Sequence, residues 1–114
     1  MPLPAAGTVR STLEGERRRL RAETGQAIAT PEPMTYGSQA AAASQVFEQQ
    51  RDLALRDRAR QQLALVEAAL GRLDAGTWGT CEECGEAIAP ERLEALPWAA
   101  LCIRCQAARQ RRRS

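Results

Sequence analysis

The sequence predicts a mostly α protein: an antiparallel helical hairpin of coiled-coil type, then a small four-cysteine metal module with a short C-terminal helix. Three observations carry this. All four cysteines lie in two C-x2-C pairs, Cys81/Cys84 and Cys102/Cys105, with seventeen residues between the pairs. A proline-free stretch rich in Ala, Gln, Arg, Leu and Glu runs from Gln39 to Ala75. Aromatic residues are limited to Tyr36, Phe47, Trp78 and Trp98, too few for one large globular core. Order must then come from long helices and a metal staple.

Residues 1–7 contain two prolines and a glycine and read as a flexible tail. A first helix is expected from Thr8 or Ser11, each a possible cap, since Ser11-x-x-Glu14 matches a capping box. It runs to Ala29, with Leu13, Leu20 and Ala27 spaced seven apart as a narrow seam for one partner helix. Thr30-Pro31-Glu32-Pro33 stops it, because a residue before proline avoids the helical region. The tip loop spans about 30–38, and Ser38 can cap the second helix.

That second helix is expected over Gln39–Ala75, about 55 Å long at the usual rise per residue. Ala75-Gly76 marks its end. Its C-terminal half carries the stripe Ala59, Leu63, Val66, Leu70 and Leu73. Its N-terminal half is poorer, with Ala42, Val46, Phe47, Leu53 and Leu55. A short proline loop makes the two helices an antiparallel pair spanning residues 8–75. Counted outward from the loop, the shorter first helix reaches only the N-terminal part of the second. The stripe from Leu63 to Leu73 then needs cover from the module at residues 76–114, whose Ile88, Leu93, Leu96, Trp98, Leu101 and Ile103 are apolar.

In that module, Cys81, Cys84, Cys102 and Cys105 match the demand of tetrahedral zinc for four soft ligands on two chelating turns. A disulfide framework would need an oxidising compartment, and Met1-Pro2-Leu3-Pro4 does not open a secretory segment. A redox C-x2-C would be expected once, and an iron–sulfur cluster fits the two-plus-two spacing less well. Four protein ligands close the site, so the metal is structural and not catalytic. Gly85 follows the first knuckle and can take positive φ, turning backbone N–H groups toward sulfur. The second knuckle opens a final helix through Gln106–Arg109, whose N-terminus favours thiolates.

The formal net charge is +2, and a zinc ion on four thiolates brings the chain close to neutral. Overall charge therefore does not point to nucleic acid. The basic end, Arg109-Gln110-Arg111-Arg112-Arg113, reads either as a solvated helix end complementing the macrodipole or as a phosphate-contacting tail. There is no histidine, no nucleophile–base pair and no phosphate-binding glycine loop, so an enzyme is not expected. No stretch approaches a membrane-spanning length, and the expected location is the cytoplasm.

Three segments resemble the four-cysteine zinc finger of the DksA/TraR family. They are Gly79-Thr80-Cys81-Glu82-Glu83-Cys84-Gly85-Glu86-Ala87-Ile88, Arg92-Leu93-Glu94-Ala95-Leu96-Pro97, and Leu101-Cys102-Ile103-Arg104-Cys105-Gln106. The match is dense over residues 76–106, and Leu53–Arg58 and Ala69–Leu73 sit where that family has its second coiled-coil helix. The resemblance implies a bacterial transcription regulator that binds RNA polymerase and not a DNA sequence. Its hairpin would enter the secondary channel, often acting with guanosine tetraphosphate, and zinc would hold the hairpin to the globular part. The implied tip comprises Glu32, Tyr36, Ser38, Ala41 and Ala43. The family's acidic D-x-x-D-x-A motif falls, by ungapped counting from Cys81, on Ser38, Ala41 and Ala43, so both carboxylates are missing. Glu32 offers a charge at a different place. The alternative function is a zinc-stabilised adaptor or nucleic-acid-binding module without secondary-channel activity, which the basic tail and the missing acids favour.

Overall fold

The computed structural model describes residues 3–25 and 39–113, with side chains described from residue 42 onward in the second segment. Four helices follow one another: α1 (Ala6–Gly25), α2 (Gln39–Ala75), α3 (Pro90–Ala95) and α4 (Ile103–Arg113). Among the described residues the only β pairing is one antiparallel bridge between Thr80 and Ala87. No helix among them is long and apolar enough to cross a membrane.

α1 begins ahead of the expected caps. The Val9 N–H donates to the Ala5 carbonyl at 3.0 Å, so Ala6 and Gly7 are already helical. Thr8 and Ser11 therefore lie inside the helix and do not cap it. The early start brings Val9 onto the buried face, where it is 4% exposed. Burying such a side chain contributes roughly 1.5–3 kcal/mol, more than a side-chain cap, which is worth about 1 kcal/mol. Residues 26–38, including Ala27, the α1 stop signal and Ser38, lie outside the described residues.

α2 spans the expected 37 residues. Gly76 ends it at φ +76°, where a side chain would be strained. The Thr77 N–H donates to the Arg72 carbonyl at 2.9 Å and the Gly76 N–H to the Leu73 carbonyl at 3.2 Å. This paired closure satisfies the last carbonyls and turns the chain directly into the metal module.

The helices pair antiparallel, but in a different register from the one counted from the loop. Arg10 meets Asp74 at 2.7 Å, Arg21 meets Glu67 at 2.9 Å, and Arg56 Nε donates to the Thr24 carbonyl at 3.0 Å. α1 thus lies along the C-terminal half of α2. One buried cluster joins Val9, Leu13 and Leu20 to Ala59, Val66, Ala69 and Leu70, with Leu63 and Leu73 at its margin. The richest apolar stripe on α2 takes the apolar seam of α1. A longer connection is a weak penalty, because closure entropy grows only logarithmically with loop length. Val46, Phe47, Leu53 and Leu55 lie beyond this pairing and are exposed.

The metal module still covers one end of the stripe, through Trp78 and Trp98, which pack against the hairpin cluster. Trp78 also packs against a second cluster inside the module, formed by Cys81, Ile88, Leu93, Ala99, Leu101 and Cys102. The Trp78 indole N–H donates to the Pro97 carbonyl at 2.8 Å, which satisfies the polar end of this bridging ring.

Arg72 is the polar counterpart of that bridge. Its side chain is 11% exposed, and one guanidinium nitrogen donates to the carbonyls of Trp98 at 3.1 Å and Ala99 at 3.4 Å. Its other terminal nitrogen stands 3.5 Å from the Glu82 carboxylate in the first knuckle. Its Nε lacks a protein partner among the described residues. A fork of several donors suits this junction, and a lysine ammonium cannot reproduce it. Arg72→Ala should cost about 2–3 kcal/mol, the value of charge-assisted hydrogen bonds, and split unfolding of hairpin and module into two calorimetric transitions. Arg72→Lys should recover only part of the loss. A single unshifted transition in both variants would show that the contact does not couple the two parts.

Candidate metal centre

The four cysteine sulfurs all lie within 4.8 Å of one another. Cys84 Sγ and Cys102 Sγ, from different knuckles, are 3.8 Å apart. A disulfide would bring two sulfurs to about 2 Å. In a tetrahedron with Zn–S near 2.3 Å, sulfurs on one edge are about 3.8 Å apart. The four thiols therefore form a donor set of the number, softness and spacing that zinc takes, and Cys81, Cys84, Cys102 and Cys105 could hold one ion.

Local backbone structure builds each half of the site. At the first knuckle the Gly85 N–H donates to the Cys81 carbonyl at 3.0 Å and the Cys81 N–H to the Glu86 carbonyl at 2.8 Å. Gly85 takes φ +76°, as its place after the knuckle led one to expect. The Ile88 N–H donates to the Gly79 carbonyl at 2.8 Å, which closes the hairpin around the Thr80–Ala87 bridge. The second knuckle is a helix start. Cys102 precedes α4, its carbonyl accepts the Gln106 N–H at 2.9 Å, and its sulfur accepts the Cys105 N–H at 3.5 Å. A thiolate here stands in for the side-chain oxygen of an ordinary N-cap and meets the positive end of the helix dipole.

The segment between the knuckles holds them together. Pro90 opens α3 at a position where the missing N–H costs nothing, and Leu93 from this helix is fully buried. Arg92 Nε donates to the Leu101 carbonyl at 3.0 Å, beside Cys102. The Glu82 N–H donates to the Ala100 carbonyl at 2.9 Å, tying the first knuckle to the approach of the second. On the outside, Glu83 receives Arg109 Nε at 3.2 Å and stands 3.6 Å from Arg112, fastening α4 against the first knuckle. The Arg109 hydrogen bond, helped by the charges of Arg109 and Arg112, holds the Glu83 carboxyl below its usual range.

The thiols are not equivalent. Backbone hydrogen bonds, from Cys84 first and then from Cys102 and Glu83, pull Cys81 down to about 6 against the opposing effect of desolvation. The Cys105 backbone likewise lowers Cys102. Cys105 is pushed up to about 12 by hydrogen bonding to Cys102, by desolvation and by the other sulfurs. The Glu86 backbone pulls Cys84 down, but desolvation and the sulfurs of Cys81 and Cys102 together push it up. Without metal, Cys81 and Cys102 thus give up their protons more readily than an ordinary thiol, and Cys84 and Cys105 less readily. A divalent cation removes the repulsion that keeps the last two protonated.

Metal retention should therefore weaken with acid. The folded value of Cys81 is depressed, so its contribution is full above the ordinary thiol range and is lost as pH falls through about 6. Bound zinc stabilises the thiolates further, which places the release midpoint below that pH. Zinc release to a chromogenic chelator and the fluorescence of Trp78 and Trp98 should change together over this range. Full retention of zinc well into acid would contradict the assignment.

Of the expected tip residues, Glu32, Tyr36 and Ser38 lie outside the described residues. Ala41 belongs to the first turns of α2, and Ala43 is exposed there. From Ala43 to the end of α2 is about 48 Å of helix, so this end of the hairpin and the metal cluster are separate places in the fold. Arg72, Trp78 and the Glu83–Arg109 pair were not singled out from the sequence. Only the single arginine near the end of α2, within reach of the turn at Gly76, could have hinted at the first of them.

A family model described as the prokaryotic dksA/traR C4-type zinc finger matches residues 76–111. The RNA polymerase-binding transcription factor DksA of Haemophilus influenzae is 45% identical over 64 residues, covering 56% of this chain and 44% of that protein. The protein of the same name in Escherichia coli is 34% identical over 99 residues, covering 85% of this chain and 66% of the relative. The solved structure of transcription factor DksA2 from Pseudomonas aeruginosa superposes with a TM-score of 0.60 at 30% identity. That superposition covers 95% of this chain and 76% of the other. The aligned stretch thus spans between 44% and 66% of these curated relatives.

Proposed function

Because this chain belongs to the DksA/TraR family of C4-type zinc-finger proteins, we propose that it is a cytoplasmic regulator that binds core RNA polymerase through its helical hairpin. In this reading Cys81, Cys84, Cys102 and Cys105 hold one structural zinc. The unit at residues 76–114 is the mount, the hairpin at residues 8–75 is the probe, and the hairpin enters the secondary channel. Residues 1–7 contribute at most their last part to α1. One observation carries the reading: α2, 37 residues long, is anchored at its C-terminal end to the zinc finger by the Arg72 hydrogen bonds to the Trp98 and Ala99 carbonyls and by Trp78 and Trp98 packed against the hairpin cluster. A lever fixed at one end can place its far end deep in a narrow passage without losing its orientation. When bound, zinc supplies only cross-linking of the two knuckles, since four sulfurs leave no open position.

The tip sets what the bound protein does. Near catalytic magnesium and nucleotide phosphates, a carboxylate would act strongly, because water is scarce and fields are large. Ser38 and Ala41 carry no charge, and Glu32, Tyr36 and Ala43 do not replace carboxylates at those two positions. The expected behaviour is binding without the carboxylate-dependent effect on initiation, with guanosine tetraphosphate as a partner to be tested in the same assay. A binding titration on core polymerase, competed by a known secondary-channel ligand, tests the first half. In vitro transcription with Ser38→Asp/Ala41→Asp tests the second: the double variant should gain an effect on a sensitive promoter at nearly unchanged affinity. If the wild type is already as active as an acidic-tip relative, the tip reading fails. If neither variant binds polymerase, the adaptor reading takes its place.

A further inference from the structure

We propose that α4 carries a sequence-independent site for the phosphodiester backbone of duplex DNA, built on Arg104, Arg111 and Arg113. The helix holds five arginines and no acidic residue. It contributes +5 to a chain whose formal net charge is +2, so the remainder of the molecule is −3. Net positive charge is densest on this helix; α1, with five arginines against three glutamates, is the other basic helix.

The five arginines divide into two groups. Arg109 and Arg112 are committed to Glu83, which fixes α4 against the first knuckle. Arg104, Arg111 and Arg113 are exposed and make no ion pair among the described residues. Helix stabilisation accounts for cations in the last turn, where they complement the dipole. It does not account for Arg104, which stands in the first turn, where a positive charge opposes the dipole. Arg104 and Arg111 are seven residues apart, on one face and about 10.5 Å along the axis. Arg113 extends the charge around the end of the helix. The N-terminal end of α4 is held by the Cys102 and Cys105 knuckle, so these cations sit on a rigid support.

The surroundings favour a polyelectrolyte over an acidic protein surface. Protein interfaces concentrate affinity in buried aromatic or aliphatic anchors. Between Cys105 and Arg113, α4 offers only Gln and Ala besides arginine, and its one exposed apolar residue, Ile103, lies at the other end. Single-stranded nucleic acid is gripped by stacking on aromatic rings, and α4 has none. What remains is charge neutralisation along a duplex, which carries no sequence information.

The experiment is fluorescence anisotropy of a short mixed-sequence duplex with the full zinc-loaded chain, without polymerase, across a salt series. Three phosphate contacts give a slope of log K against log salt near −3, a loss of roughly 40-fold between about 50 and 200 mM salt. A variant carrying Arg104→Gln, Arg111→Gln and Arg113→Gln should retain its zinc and bring the slope close to zero. A control with Arg18→Gln, Arg58→Gln and Arg60→Gln removes the same charge from the hairpin and should keep the wild-type slope. The proposal is overturned if the wild type shows no duplex binding at the lowest salt, or if both variants weaken binding equally. It is also overturned if the α4 variant loses affinity for polymerase while its duplex binding is unchanged, which would assign the arginines to an acidic protein surface.

Discussion

Replacing Cys84 with serine is expected to release the zinc and melt the module around it while most of the hairpin stays helical. Cys84 is the most informative ligand to remove. Cys81 and Cys102 belong to the buried apolar cluster with Ile88, Leu93 and Leu101, so their loss would also disturb packing. Cys84 is exposed, and its substitution reports on the metal alone. A structural zinc contributes on the order of 10 kcal/mol of binding free energy to folding. The module's own cluster has six buried side chains, three of them alanine or cysteine, too few to order so short a segment by burial alone. Far-UV circular dichroism should keep most of its helical signal, because α1 and α2 have a cluster of their own. Near-UV signals from Trp78 and Trp98 should collapse, since both rings sit at the junction. A Cys84→Ser protein that keeps one zinc per chain and its wild-type melting temperature would remove the metal from its structural role.

Leu13→Ala should be the most damaging single change in the hairpin. Leu13 is fully buried, and it falls between the Arg10–Asp74 and Arg21–Glu67 ion pairs that clamp α1 to α2. Truncation removes its transfer free energy and leaves a cavity that two rigid helices cannot close, at a cost of about 2–5 kcal/mol. For a domain of this size the melting temperature should fall on the order of 10–20 °C. The ion pairs cannot compensate: their side chains are substantially exposed, and such pairs contribute about 0–1 kcal/mol. Leu55→Ala is the matched control, because Leu55 is 55% exposed and its loss should change stability by no more than about 0.5 kcal/mol. Equal losses at the two positions would mean that α1 pairs with a different part of α2 in solution.

Much of this protein is local, and local features were open to sequence reasoning. The extent of α2 comes from the absence of proline between Gln39 and Ala75 and from the glycine after it, which closes the helix at positive φ. The four cysteines announce the metal because a C-x2-C turn brings two sulfurs together by its own geometry. Gly85 and the helix start after Cys102 are likewise short-range consequences of chain stereochemistry. The register of the hairpin is different in kind. Counting outward from the loop placed α1 against the N-terminal half of α2, whereas Val9, Leu13 and Leu20 chose the apolar stripe at the C-terminal half. Helical periodicity says which face is apolar, but many registers share that face. The choice among them depends on summed burial across two segments distant in the chain, with only a weak loop penalty to oppose it. Arg72 and Trp78 show the same limit. Neither has a partner among its chain neighbours until the turn at Gly76 folds the zinc module back beside the helix. Only then does a guanidinium meet the carbonyls of Trp98 and Ala99, and an indole N–H the carbonyl of Pro97. The sequence alone determined the helices and the ligand set, because chain neighbours decide those; the tertiary structure decided which half of α2 is covered and how the module is fastened to it, because those energies exist only between parts that folding brings together.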